Sequence, residues 1–221
     1  CINYDMFSTK TGRLGIKEGS FPILNIKSEH KGILKPKNNW FVEFDYNSSE
    51  VRTLLSLSDK KQPSIDIHQW NIDNVFGTST NREQAKQRFF AWLYNQNSND
   101  QVLSSFYDRE KILNKYYNDG TVSTPFGREI ETDDFHALNY LLQSSSSDNC
   151  ITQVNKIHRF LRDKKSNVSF FIHDSVVIDL HDSDRYLIPQ MKEIFQDTKL
   201  GNFKTNVSVG KDYGSMKAVS L

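Results

Sequence analysis

Two aspartates of this chain sit where strongly apolar runs stop. Asp45 falls near the end of WFVEFDY, Trp40 to Tyr46, and Asp174 lies between VSFFI and VVIDL. Paired carboxylates can hold two divalent cations about 3.5–4 Å apart, one activating a nucleophile and the other steadying a leaving oxygen. Strand ends and hairpin tips suit that task, because a rigid sheet positions the side chains and leaves them open to ligands. Taken singly, each aspartate reads equally well as a strand cap or turn residue. A second pattern lies between them: Arg82, Lys86, Phe90 and Tyr94 recur at intervals of four in NREQAKQRFFAWLYN. Four residues advance a helix by about 400°, so each step turns this facet only about 40°. The like charges of Arg82 and Lys86 destabilise a bare helix by about 0.2–0.5 kcal/mol, and a polyanion lying against them reverses the sign. The facet reads either as a solvated basic face backed by packed aromatics or as a triphosphate clamp with a base-stacking platform.

These residues need elements to carry them. Residues 1 to 39 read as irregular, with turn signals at Gly12, Gly15, Gly19 and Pro36. Trp40 to Tyr46 reads as a buried strand and SSEVRTLLSLS as a helix. A polar loop over 58 to 66 precedes a helix from Ile67 to Phe76 and the ladder helix from Thr80 to Gln96, started by a Thr80–Glu83 capping box. After a polar loop from Asn97 to Gln101, helical patterns run from Val102 to about Tyr117 and stop at an Asn-Asp-Gly turn. A long helix is expected from Asp133 through the run Ser144 to Ser147 to about Lys164. That run reads equally as low complexity or as small residues admitting a close partner. Two strands around His173-Asp174-Ser175, a helix from Ser183 to Phe195 and a strand over Asn206 to Gly210 complete the pattern. Strands and helices without regular alternation favour an α+β fold over a doubly wound sheet.

Composition narrows the class. A chain of 221 residues, 37% hydrophobic and 25% charged, can bury a substantial core as one large domain or two small ones. No run approaches the roughly 20 apolar residues that span a bilayer, and no signal-peptide pattern opens the chain. Cys1 and Cys150 make no disulfide framework, so a reducing, cytoplasmic setting is expected. The net charge of +1 is unevenly spread. Within the first forty residues Lys10, Arg13, Lys17, Lys27, Lys31, Lys35 and Lys37 face only Asp5, Glu18 and Glu29. The opening at Cys1 reads as a point within a longer protein.

Glu50 and His68 each carry two readings. Asn47 and Glu50 have approximate N-cap spacing, so Glu50 completes a cap or, one turn past Asp45, faces the same site. His68 in DIHQW is a half-buried histidine or a phosphate contact.

Together these segments resemble the family A DNA polymerases, typified by bacterial polymerase I and the podovirus replicative enzymes. DYNSSEVR, Asp45 to Arg52, resembles motif A, DYSQIELR. The series Arg82, Lys86, Phe90 and Tyr94 matches motif B, R-x3-K-x3-F-x3-Y. IHDS, Ile172 to Ser175, resembles motif C, VHDE. TGRL at Thr11 to Leu14, DIH at Asp66 to His68, TPFGR at Thr124 to Arg128, and Asn139 with Gln143 fall among them in the family's order. The resemblance runs from Thr11 to the C-terminal strand.

By that resemblance the fold is an antiparallel palm sheet with helical fingers inserted, a right-hand polymerase without its thumb. Residues 1–52 would be the first part of the palm, 53–122 the fingers, and 123–221 the rest of the palm with the motif C hairpin. Asp45 and Asp174 would bind two Mg2+ ions with the backbone carbonyl of Tyr46. Arg82, Lys86 and His68 would hold the incoming dNTP, with Lys86 also protonating the pyrophosphate. Glu50, pairing with Tyr94, would exclude a ribose 2′-hydroxyl, and Phe90 would pack on the sugar. Arg13, Asn139, Gln143 and His173 would touch the primer–template DNA, and the basic N-terminal stretch would track phosphates.

Four departures qualify the match. Ser175 replaces the glutamate usual after the motif C aspartate, Asn95 replaces a glycine after the motif B tyrosine, and Phe135 stands where bacterial members often have arginine. The stretch from Lys86 to Asn139 is short, implying reduced fingers and a compact phage-type enzyme working in a host cytoplasm. A thumb and exonuclease would lie upstream, and a processivity factor would be a further partner. The competing readings are a single-subunit RNA polymerase and a non-catalytic or partner-dependent nucleic-acid-binding remnant.

Overall fold

The computed structural model of the chain describes residues 2–77, 80–95 and 98–221. In chain order, β1 (Tyr4–Asp5) and β2 (Gly15–Ile16) form a small antiparallel ribbon, followed by 3₁₀ turns and then β3 (Trp40–Tyr46). Next come α1 (Ser49–Leu57), α2 (Ile67–Asn71), which runs on as a π-helical turn to Phe76, and α3 (Arg82–Tyr94). After α4 (Gln101–Tyr107) and α5 (Arg109–Tyr116) come the short strands β4 (Tyr117–Asn118), β5 (Thr121–Ser123) and β6 (Glu129–Glu131). Finally α6 (Asp134–Phe160), β7 (Asn167–Ile172), β8 (Ser175–Leu180), α7 (Ile188–Gln196), β9 (Asp197–Thr198), β10 (Gly201–Asn202), β11 (Thr205–Gly210) and β12 (Lys217–Val219) follow. No helix among the described residues is long and apolar enough to cross a membrane.

The chain divides into two compact units, Cys1–Asn47 with Ser147–Leu221, and Ser48–Ser146. The second unit has a core of its own. Val51, Leu54, Leu55 and Leu57 of α1 share one core with Phe89 and Trp92 of α3, with Val122 and Ile130 of the β-hairpins, and with Ala137, Leu138, Leu141 and Leu142 of α6.

The first unit is built on an antiparallel five-stranded sheet in the order β12-β11-β3-β8-β7. Alternation along β3 sends Val42, Phe44 and Tyr46 into a core with Cys150, Val154 and Ile157 of α6 and Met191 and Phe195 of α7. The opposite face of β3 carries Phe41, Glu43 and Asp45, and only Phe41 joins a hydrophobic cluster there. At the far end of β3 the buried Asp179 carboxylate accepts the Lys37 and Asn38 backbone N–H groups, each at 2.9 Å.

In the second unit Arg52 acts as a staple. Its guanidinium is fully buried and donates to the carbonyls of Pro63 (2.9 Å) and Ile65 (2.8 Å), fixing the 58–66 loop. Burial holds its pKa down, at about 10.

Several expected boundaries move. The helix read across Val102 to Tyr117 is two helices, because Asp108 adopts φ 48° and accepts the Lys111 N–H to start α5. The Asn-Asp-Gly turn is a hairpin loop: Asp119 (φ 45°) and Gly120 (φ 75°) both have the positive φ that matches the strand twist of a two-residue turn. The ladder helix is capped by Asn81 and Gln84, which satisfy each other's backbone N–H groups, rather than by Thr80 and Glu83. Gln96 and Asn97, in the expected end of that helix and the loop after it, lie outside the described residues, as does Cys1. The serine run is helical and buried, which favours close packing over low complexity: Ser49 and Ser146 meet at 2.6 Å, and Ser147 donates to the Gly12 carbonyl at 3.1 Å.

Candidate active site

The first unit brings Asp45 and Asp174 to one end of the sheet. β3 pairs with β8 so that Asp45 lies opposite Ser175, and with β11 so that Asp45 lies opposite Asn206. Asp174 occupies the two-residue turn between β7 and β8, and its carbonyl accepts the Tyr46 N–H at 3.4 Å. His173, in the same turn, has φ 53°. Burial pushes the Asp45 carboxyl up to about 7, with the Asp174 and Glu43 carboxylates adding to the rise and an Asn206 hydrogen bond opposing it. Two carboxylates therefore resist ionising together.

Tyr46 is fixed beneath them. Its hydroxyl donates to the Phe195 carbonyl at 2.6 Å and its ring stacks on Phe195 at 4.2 Å. With the side chain so occupied, only the backbone of Tyr46 is left to serve a ligand.

Among the described residues no three His, Cys, Asp or Glu side chains form a cage for a metal. Mg2+ keeps several waters and binds through one or two carboxylates plus substrate phosphates. Crowded, partly buried carboxylates are also the donor set that a divalent cation stabilises. Asp45 and Asp174 are two such carboxylates, with burial and like charge acting on Asp45.

Arg13 and His173 line one small cleft of this unit with Leu14, Leu24, Ser147 and Phe171. Sequence reading singled both out without any sign that they meet.

The second unit carries the ladder. Arg82 makes a two-pronged ion pair with Asp66, Nε to Oδ1 at 3.2 Å and Nη2 to Oδ2 at 2.9 Å. Asp66 also caps α2 by accepting the His68 and Gln69 N–H groups. The charge clash read from the sequence is thus relieved within the protein. Asp66 was quoted only as part of a motif; sixteen residues of separation hide this pairing from sequence.

His68 is buried, with Nε2 2.9 Å from the Ser48 hydroxyl and Nδ1 without a hydrogen-bond partner. Burial lowers its pKa; Asp66 opposes the fall, and Arg82 and Lys86 deepen it. Lys86 is exposed. Phe90 and Tyr94 stack in parallel, with centroids 5.8 Å apart and planes 7° off. The Tyr94 hydroxyl donates a short hydrogen bond to the Glu50 carboxylate. Glu50 sits in the first turn of α1, whose N-cap is Ser48 in a left-handed conformation (φ 56°).

Asn139 accepts from the Gln143 side chain at 2.7 Å along α6. Asn139 and Tyr94 line a pocket of about 40 Å³ with Arg109, Phe135 and His136. Arg109 was not singled out from sequence. Its guanidinium lies on the Trp92 ring at 4.5 Å and donates to the Trp92 carbonyl, while Nε is buried without a partner.

The fold is similar to that of a polymerase domain. Specifically, it is similar to a solved structure of the POL domain of Pol1 from M. smegmatis in complex with DNA primer-template and dNTP. The TM-score is 0.70 at 17% identity, covering 97% of this chain and 48% of that one, so the chain spans about half the neighbour's length. At that identity the likeness concerns the fold. No family model matches the sequence, and no curated protein does.

Proposed function

We propose that this chain is the core of a template-directed DNA polymerase of family A, extending a primer 3′-hydroxyl with dNTPs. The observation that carries the reading is the Asp45–Asp174 pair, with Asp45 near the end of β3, Asp174 in the turn leading into the neighbouring β8, and the Asp45 carboxyl raised to about 7 by burial and like charge. The likeness to the POL domain supports it independently. In this reading the five-stranded sheet is the palm and the helices around α3 are the fingers.

Asp45, Asp174 and the Tyr46 carbonyl would hold two Mg2+ ions. When bound, these ions would activate the attacking hydroxyl and offset charge on the leaving oxygen. Arg82, Lys86 and His68 would orient the triphosphate, with Lys86 placing a proton on the departing pyrophosphate. His68 would donate a ring N–H to a phosphate. The Glu50–Tyr94 bond would close off the space a ribose 2′-hydroxyl needs, and Phe90 would support the sugar. Arg13, His173, Asn139 and Gln143 would contact the primer–template, whose phosphates the basic N-terminal stretch would follow with strong salt dependence. Magnesium, DNA and dNTPs are thus the proposed cofactor and partners, and a phage-type replicase is the proposed source class.

Metal-dependent primer extension by the full-length parent protein tests this. Asp174→Asn should lower extension by at least about 100-fold, the scale of losing one group that stabilises the transition state, while DNA binding persists. Extension that survives Asp174→Asn contradicts the reading. DNA binding without extension in the unsubstituted protein would favour the non-catalytic alternative, and preference for rNTPs would favour RNA synthesis.

A further inference from the structure

The face of β3 that carries Asp45 holds a second carboxylate two residues earlier, Glu43, to which the reading above gives no task. Its Oε1 accepts a hydrogen bond from the Tyr213 hydroxyl at 3.0 Å and another from the Ser175 hydroxyl at 3.2 Å. Ser175 Oγ also lies 3.2 Å from the Ile172 carbonyl. Both neighbours of this hydroxyl are acceptors, so its single proton is shared between them. Ile172 and Ser175 are the residues that flank the two-residue turn His173–Asp174 and pair with each other across it. The Ser175 hydroxyl therefore fastens the neck of that turn, and through Glu43 it ties the turn to β3.

The other end of the chain of contacts is anchored as well. The Tyr213 ring packs edge-on against Phe170 at 5.2 Å, and its backbone N–H donates to the Leu34 carbonyl at 3.0 Å. Tyr213 is almost fully buried. A phenol so enclosed requires an acceptor, and Glu43 is the acceptor the fold supplies. The turn has a corresponding need. His173 at φ 53° is in the left-handed region, which disfavours a side chain other than glycine and persists where surrounding contacts over-determine it.

We propose that Tyr213, Glu43 and Ser175 form a positioning relay that sets Asp174 for metal binding, with Glu43 acting as a hydrogen-bond acceptor rather than as a ligand. This rests on the reading of Asp174 as a metal-binding aspartate. It also assigns a use to Ser175, a hydroxyl where a third carboxylate beside Asp174 would compete with Glu43 for the same donor.

The test is Mn2+ binding to the full chain without DNA or nucleotide, measured by titration calorimetry, with amide hydrogen exchange of residues 172–176 in the metal-free protein. Ser175→Ala, Tyr213→Phe and Glu43→Ala should each weaken Mn2+ binding about 10- to 100-fold, the scale on which outer partners tune a site, and speed exchange in the turn. Glu43→Gln keeps the acceptor oxygen and should stay close to the unsubstituted affinity. If Glu43→Gln is as weak as Glu43→Ala, the carboxylate's charge matters and the relay is wrong. If Ser175→Ala and Tyr213→Phe bind Mn2+ normally while Asp174→Asn does not, the relay is also wrong but the metal site stands. If Asp174→Asn itself binds Mn2+ normally, the functional reading falls instead. Ser175→Ala and Tyr213→Phe remove single hydroxyls, so they stay interpretable should Glu43→Ala fail to fold.

Discussion

The two regions read as chemistry handle charge in opposite ways. At the end of the sheet, the charges acting on Asp45 are of its own sign, from Asp174 and Glu43, and burial strengthens their effect. On α3, Arg82 already has an opposite charge in Asp66, and the pair stays partly exposed. One region crowds like charges, and the other pairs opposite ones. Under the proposed function, a cation would relieve the first, and an incoming anion would compete with Asp66 at the second.

The largest expected effect bears on the crowded side. Because the Asp45 carboxyl is raised to about 7 from 3.8, the metal-free folded protein holds a proton that the unfolded chain gives up. Its stability is full below about pH 4 and is lost as pH rises through 7, by a few kcal/mol at most. Thermal melts in chelator from pH 4.5 to 8 should show this decline, Mg2+ should reverse it at high pH, and Asp45→Asn should flatten it. A flat profile for the unsubstituted protein would erase the contrast between the regions.

Next in size is Glu50→Ala, which removes the carboxylate that Tyr94 binds. Loss of a snug steric contact changes discrimination on the order of 10- to 200-fold. The ratio of dNTP to rNTP incorporation should fall within that range, and an unchanged ratio would detach Glu50 from the ladder's task. Smaller still is Asp66→Asn, which keeps an N-cap for α2 but removes the charge held by Arg82. An exposed ion pair is worth at most about 1 kcal/mol, so dNTP affinity should rise by up to about fivefold. A fall in affinity would mean that Asp66 orients Arg82 rather than competing for it.

The smallest effect concerns His68. Its pKa is depressed by burial in the folded state, so stability is full above the ordinary value of 6.5 and is lost as pH falls through that value toward the folded one. His68→Gln should remove this acid-side loss in melts between pH 7.5 and 5.

The sequence displayed what depends on local pattern. The β3 run, the two strands around His173-Asp174 and the four-residue ladder all emerged at their observed places, because apolar runs and helical periodicity are local signals. Three things were hidden for a common reason. Arg82 with Asp66, Glu43 with Tyr213, and the pocket joining Tyr94 to Asn139 all depend on folding partners distant in sequence. Local errors had local causes too. Asn81 and Gln84 outcompeted Thr80 and Glu83 for the same cap one residue away, and an aspartate at Asp108 broke a helix whose apolar pattern continued across it.

The order of strands in the sheet has a consequence for biosynthesis. The residues that bond to Glu43 of β3 come 132 and 170 positions later in the chain, in Ser175 and Tyr213. The whole Ser48–Ser146 unit leaves the ribosome in between. Pairing of β3 with β8 and β11 therefore has a high contact order, which slows closure of the sheet. Ribosome stalling or nonsense truncation before β8 would therefore leave β3 with neither Ser175 nor Asp174 beside it.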